Sequence, residues 1–384
     1  MKIVIAPDSY KGNLTSLQVA SAIEKGILRV LPKAKCIKVP MADGGEGTVQ
    51  SLVDAMGGKF VHMNVCGPDG NTVRARYAIL SDQKTAAIEM AEASGLMLVA
   101  SKDRNPLTAT SYGTGELILD ALNRGVKKII VGIGGSATND CGAGMAQALG
   151  IKFFNSKGTE IKTPAAGGML NRISDIKIND LSPGVALCKI IIACDVDSPL
   201  YGKKGASYIF GPQKGATSAM VKRLDDNLKY FGMLIKKQLN IDVRTLKGAG
   251  AAGGLGAGLH AFADAKLQSG IDIVIQATEL NSYLKTADLV FTGEGRVDVQ
   301  TAFGKTAAGV ARAAKKYKLP VIAIGGGLSD DASKVFNYGI DGLDSAIARE
   351  MSLEEALANS RKFIANAAER AMRMVIIGKK MNKT

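Results

Sequence analysis

The chain has 384 residues, 46% of them hydrophobic and 22% charged, which is enough apolar material for a sizeable core and excludes wholesale disorder. At roughly 150 residues per domain it has room for two or three domains. Its formal net charge is +14, but the basic residues are scattered and aromatics make up 5%, so small anionic ligands are expected rather than nucleic acid, which needs a basic stripe.

No stretch holds the ~20 continuous apolar residues of a membrane span, and the N-terminal apolar run is too short for a signal peptide. Cys36, Cys66, Cys141, Cys188 and Cys194 show no C-x-x-C spacing. A disulfide scaffold or zinc knuckle is not expected, and a reducing cytoplasm fits. With His62 and His260 alone, a multi-histidine metal centre is excluded too.

A β-branched run at 3–6 predicts a strand. Thr15 is placed to cap a helix carrying Leu17, Ala20, Ile23, Ile27 and Leu31 at helical spacing. A strand at 36–39, a Gly-rich loop at 42–47 and a helix at 48–56 complete a βαβα opening. Residues 59–90 read as short strands joined by turns, which is hairpin chemistry. An α+β stretch to about 280 follows, with helices at 115–123, 143–149 and near 218–238, and strands at 128–133 and 189–194. Strands at 287–292, 321–324 and 343–348, with helices at 306–317 and 353–375, resume the parallel rhythm.

The two ends together supply five strands, which suit an α/β fold: a flavodoxin-like parallel sheet of order 2-1-3-4-5 with a large inserted mixed α/β domain. The expected division is 1–60 with 281–384 as one discontinuous domain, and 61–280 as the insertion closing a cleft. In such sheets ligands bind beyond the carboxyl ends of the strands, at the switch point. That places the loops at 7–12 and 293–298 at the expected site.

Four Gly-rich segments, 43–47, 132–140, 248–256 and 325–327, offer backbone N–H groups to phosphate or carboxylate oxygens. Two near-matches fail. The G-x-G-x-x-G at 248–253 follows a charged segment instead of a clean strand, and Gly304-Lys305-Thr306 has Val299 where a P-loop needs glycine. Asp8, Asp43, Glu46, Asp140, Asp195, Asp197, Glu294 and Asp298 fall just after apolar strands or in Gly-rich turns. Phosphoryl transfer uses such acids, because Mg²⁺ takes one or two carboxylates plus phosphate oxygens and a carboxylate can accept a hydroxyl proton. If the strand before Asp195 continues, Asp195 and Asp197 point to one side. Lys11, Arg296, Lys203, Lys214 and Lys305 are the loop or helix-start cations, with Lys11 and Arg296 at the switch point.

In combination, Ala6-Pro7-Asp8-Ser9-Tyr10-Lys11-Gly12, Met41-Ala42-Asp43-Gly44-Gly45-Glu46-Gly47, Ser136-Ala137-Thr138-Asn139-Asp140, Cys194-Asp195-Val196-Asp197, Phe210-Gly211-Pro212-Gln213-Lys214 and Gly293-Glu294-Gly295-Arg296-Val297-Asp298 resemble the bacterial glycerate kinase family, type I. Gly135 and Cys141 depart from the pattern, where an acid and a glycine are expected. The resemblance implies Mg²⁺- and ATP-dependent phosphorylation of D-glycerate, at the 2-hydroxyl, by a two-domain cytoplasmic enzyme; a homodimer is left open. The expected catalytic residues are Lys11, Asp43, Asp195 and Arg296. The expected substrate or nucleotide contacts are Asp8, Ser9, Gly44, Gly45, Ser136, Asn139, Asp140, Glu294, Asp298 and Lys305, with Glu46 and Asp197 on the metal. Two other readings fit the residues less well. A non-catalytic nucleotide or carboxylate sensor has no use for so many acids. An NAD-dependent oxidoreductase would need a strand–helix–strand frame around Asp264 or Asp272.

Overall fold

A computed structural model describes residues 1–45, 47–298 and 306–381. Among the described residues the strands are β1 (Lys2–Ile5), β2 (Lys35–Lys38), β3 (Gly58–Cys66), β4 (Thr72–Leu80), β5 (Thr85–Glu89), β6 (Lys128–Gly132), β7 (Lys152–Phe154), β8 (Asp175–Lys177), β9 (Lys189–Ala193), β10 (Lys266–Gln268), β11 (Leu289–Val297), β12 (Val321–Leu328) and β13 (Gly342–Ser345). They form an α/β fold with one parallel sheet, one mixed sheet and a two-stranded ribbon. The chain divides into two compact units, Met1–Asp43 with Gln50–Gly57 and Ser269–Thr384, and Gly44–Val49 with Gly58–Gln268.

The first unit holds a five-stranded sheet in the order β13-β12-β11-β1-β2, all neighbours parallel. Thr15 caps the helix Ser16–Val30 through a capping box with Gln18. That helix buries Val19, Ala20, Ile23 and Ile27 in a core shared with Ile3, Ile5, Phe291 and Ile324. It also meets the helix Ser360–Met381 closely: a Cβ on Gly26 would lie 2.1 Å from the Ala365 carbonyl oxygen.

Two expected loops turn out to be strand. β11 runs past residue 292 to Val297, and β12 runs past 324 to Leu328, with Glu294 opposite Gly325 and Arg296 opposite Gly327. Glycine here serves close strand approach, since a Cβ on Gly293 would lie 2.2 Å from the Ile324 oxygen and one on Gly326 2.4 Å from that of Gly295. The single closing helix expected at 353–375 is two helices, Leu353–Ala358 and Ser360–Met381. Ser352 caps the first, accepting the Glu355 N–H, and Ser360 Oγ bonds back to the Ala356 and Leu357 carbonyls at the break.

The second unit holds a six-stranded sheet in the order β10-β9-β6-β5-β4-β3. The expected short strands of 59–90 include a long antiparallel hairpin, β3 on β4, with His62 opposite Arg76. β5, β6, β9 and β10 run parallel. Tyr77, Ile88, Leu117, Ile129 and Ile192 pack one core, while Phe153, Phe231 and Phe262 centre a second. No helix among the described residues is long and apolar enough to cross a membrane.

Candidate functional site

Beyond Ile5 the chain stays alongside β11: the Ala6 N–H donates to the Phe291 carbonyl at 2.7 Å and the Asp8 N–H to that of Gly293 at 2.8 Å. Asp8 and Glu294 therefore sit together at the carboxyl ends of neighbouring strands. A cavity of about 700 Å³ opens there, lined on its polar side by Asp8, Ser9, Lys11, Asp43, Glu294, Arg296 and Asp298. These seven are all residues singled out from the sequence.

Asp8 is 3% exposed. One carboxylate oxygen accepts the Ser9 N–H at 2.6 Å, and the other accepts the Thr306 hydroxyl at 2.6 Å. Burial, with the nearby Asp43 charge second, pushes its carboxyl up to about 6 against those hydrogen bonds. Lys11 reaches to 3.6 Å from the Asp43 carboxylate, with its side chain about half exposed, so this pair contributes little to stability. Tyr10 is buried beneath them, and its hydroxyl donates to the Ile324 carbonyl at 3.0 Å. Burial, then the Glu294 charge, raises the phenol well above its ordinary range.

In the second unit the 132–140 segment is held from below. Asp140 is fully buried and accepts the Ser111 N–H and hydroxyl at 2.8 and 2.7 Å and the Gly142 and Gly144 N–H groups at 3.1 and 3.3 Å. These bonds anchor the start of the helix Ala143–Ala148, and burial still raises the carboxyl. Asn139 Oδ1 accepts the Ser207 hydroxyl at 3.2 Å, and its buried Nδ2 has no partner among the described residues. Lys214, 2% exposed, donates to Ser136 Oγ at 2.6 Å and to the Thr138 carbonyl at 2.7 Å. Burial lowers its ammonium to about 7. Lys214 was only one of several loop cations in the sequence; its burial among neutral acceptors has no local sequence signature.

Gly44 and Gly45 lead into the helix Thr48–Met56, whose Thr48 hydroxyl donates to the Gly45 carbonyl at 2.7 Å. β9 ends at Ala193, so strand alternation does not reach Asp195 and Asp197. Both are exposed, and Asp197 pairs with Lys247 at 2.8 Å. Glu46 and Lys305 lie outside the described residues. The described residues hold no group of three or more His, Cys, Asp or Glu side chains placed for a metal.

The G-x-G-x-x-G segment is a packing seam. Ala252, Gly253 and Gly254 take positive φ inside Ala251–Ala263, and a Cβ on Gly253 would lie 2.0 Å from the Thr138 oxygen. Cys141, the departure from the family pattern, has φ 54°, a conformation where glycine would be relaxed. Its thiol is buried and raised well above its ordinary value.

The model of the Glycerate kinase family matches residues 3–376. "Glycerate kinase" of Halalkalibacterium halodurans is 52% identical over 366 residues, covering 95% of this chain and 96% of that protein. "Glycerate 2-kinase" of Escherichia coli K12 is 51% identical over 378 residues, covering 98% and 99%. A crystal structure from Salmonella typhimurium LT2, whose name carries glycerate kinase 2 as a provisional description, superposes with a TM-score of 0.91 at 48% identity, covering 99% of each chain. The chain belongs to the glycerate kinase family.

Proposed function

We propose that the chain transfers the γ-phosphoryl group of ATP to the 2-hydroxyl of D-glycerate in a Mg²⁺-assisted reaction. The observation that carries this reading is the convergence of Lys11, Arg296 and four carboxylates on one cavity at the strand ends of a family member. The parallel sheet is read as flavodoxin-like, order 2-1-3-4-5, with the second unit as its insertion, so the cavity falls at the switch point. The 2-hydroxyl is supported by the name of the Escherichia coli relative. The five free thiols fit a cytoplasmic enzyme.

In the transfer the glycerate hydroxyl oxygen bonds to the γ-phosphorus, the bond to the β-bridging oxygen breaks, and ADP leaves. The hydroxyl proton passes to a carboxylate, and Asp8, tuned to about 6, suits that task near neutral pH. Lys11 and Arg296 hold the anionic groups in line. Asp43, Glu294 and Asp298 are hard oxygen donors around the same cavity, the chemistry Mg²⁺ takes alongside phosphate oxygens. Bound Mg²⁺ would neutralise charge on the phosphates. Asp43 positions metal or substrate; the metal role of Glu46 and Asp197 and the catalytic role of Asp195 rest on the family resemblance alone. Ser136 and Asn139 keep the substrate or nucleotide contact that the sequence suggests, while Asp140, buried and fully hydrogen-bonded, fixes the loop that carries them. Incubation with Mg·ATP and D-glycerate should yield ADP and 2-phosphoglycerate, and EDTA should abolish both. ADP formation that ignores glycerate would overturn the reading.

A further inference from the structure

The cavity at the strand ends has a second half that the phosphoryl chemistry does not use. Besides the charged residues its lining is apolar: Leu328 at the end of β12, Ile347 after β13, Leu353 and Leu357 on one short helix, and Phe363 and Ile364 on the next. Leu328, Ile347, Leu353 and Leu357 are 41%, 39%, 73% and 46% exposed, so four large aliphatic side chains stand in solvent around one hollow. Asn13 and Ser360, the polar side chains between them, are already used: Asn13 Nδ2 donates to Ser360 Oγ and to the Leu357 carbonyl, and Ser360 Oγ donates back to its own helix. Gly327 lines the same cavity, paired with Arg296 across the strands and directly before Leu328. A Cβ there would meet no heavy atom within 4 Å, unlike one on neighbouring Gly326. The absent side chain thus leaves space in the cavity instead of serving the packing of the strands.

We propose that this apolar half seats the purine ring of ATP, with Gly327 giving the ring its room. The inference rests on the kinase reading above. ATP joins a flat, largely apolar ring to a polyanion through a ribose, and this one cavity joins an aliphatic wall to Lys11 and Arg296. A volume of about 700 Å³ suits a ligand of that size, and sites of this kind pair an apolar lining with a few polar groups. Glycerate, which is small and polar throughout, has no apolar face for such a wall.

The test compares ATP with inorganic tripolyphosphate as ligands of the wild-type protein, Gly327→Val and Leu357→Gln, by calorimetric titration beside steady-state kinetics. Gly327→Val fills the space on a strand that tolerates β-branching, and Leu357→Gln alters an exposed position, so each checks the other if one fails to fold. The expected result is a KM for ATP raised at least fivefold in both, a KM for glycerate within twofold, and unchanged tripolyphosphate affinity. Photolabelling with 2-azido-ATP should mark the peptides spanning 327–363. An unaltered preference for ATP over tripolyphosphate in both variants would overturn the proposal, as would a rise in the KM for glycerate alone or labelling confined to the second unit. A wild-type protein that binds ATP through this wall but makes no phosphoglycerate would overturn the kinase reading and leave the purine seat standing.

Discussion

Asp8 shows how one residue's surroundings set its chemistry. Its carboxyl rises to about 6 through burial first and Asp43 second, while the Thr306 hydroxyl and Ser9 N–H pull it back. A base must be deprotonated to work, so kcat/KM should climb with pH through an acid limb near 6 and level off above it. Asp8→Asn should lower kcat by at least about tenfold, or ~1.4 kcal/mol, and remove that limb. A variant that keeps both the rate and the limb would assign the proton to another group. Lys214 works in the opposite direction. Its folded value of about 7 lies below the ordinary 10.5, so between those values the unfolded chain holds a proton that the native one has shed. Stability should rise with pH across that window, by up to about 1.4 kcal/mol per unit. Urea unfolding at pH 7 and pH 9 should show the slope, and Lys214→Met should flatten it. That Asp8, Lys11, Glu294 and Arg296 gather at neighbouring strand ends was legible in the sequence, because each follows an apolar run in a Gly-rich context. The Lys214–Ser136 bond was not, because its partners lie far apart in the chain and only tertiary packing joins them.

At the scale of elements, glycine carries two meanings that a sequence does not separate. The runs at 293–295 and 325–327 resemble anion loops, yet most of their residues continue paired strands whose backbones come too close for a Cβ. The run at 248–256 resembles a dinucleotide motif, yet it fits one loop against another. Gly253→Ala tests this. The φ of 68° and the 2.0 Å approach to the Thr138 oxygen together predict a loss of about 2–5 kcal/mol, read as a lower urea midpoint. An unchanged midpoint would mean the seam can move aside. The hydrophobic periodicity that reveals helices does better, since Thr15 and the apolar stripe behind it appear where spacing and capping chemistry require. Strand ends are harder to read, because pairing with a neighbour, and not local preference, decides where β11 and β12 stop.

Across the whole molecule, each unit has its own hydrophobic core, centred on Ile5, Phe291 and Ile324 in the first and on Tyr77, Ile129 and Ile192, with the phenylalanine cluster, in the second. The first is assembled from three stretches of chain and the second from two, so neither is a simple cut of the sequence. The segment 44–49 illustrates why. The Val49 N–H donates to Glu89 Oε1 at 2.9 Å, and the Gly44 carbonyl lies close to Gly132, which ties this segment to the second sheet although the strand before it belongs to the first. Separate cores should open with separate free energies. The cavity that gathers Asp8, Lys11 and Arg296 belongs wholly to the first unit, so a nucleotide bound there stabilises that unit by mass action. At a hundredfold excess over Kd the gain is about 2.7 kcal/mol. Hydrogen exchange with and without Mg·ADP should therefore slow the amides of β1, β11 and β12 by roughly a hundredfold, while those of β6 and β9 change little. Equal protection of both sheets would mean that the units open together, and protection confined to β6 and β9 would move the nucleotide to the second unit.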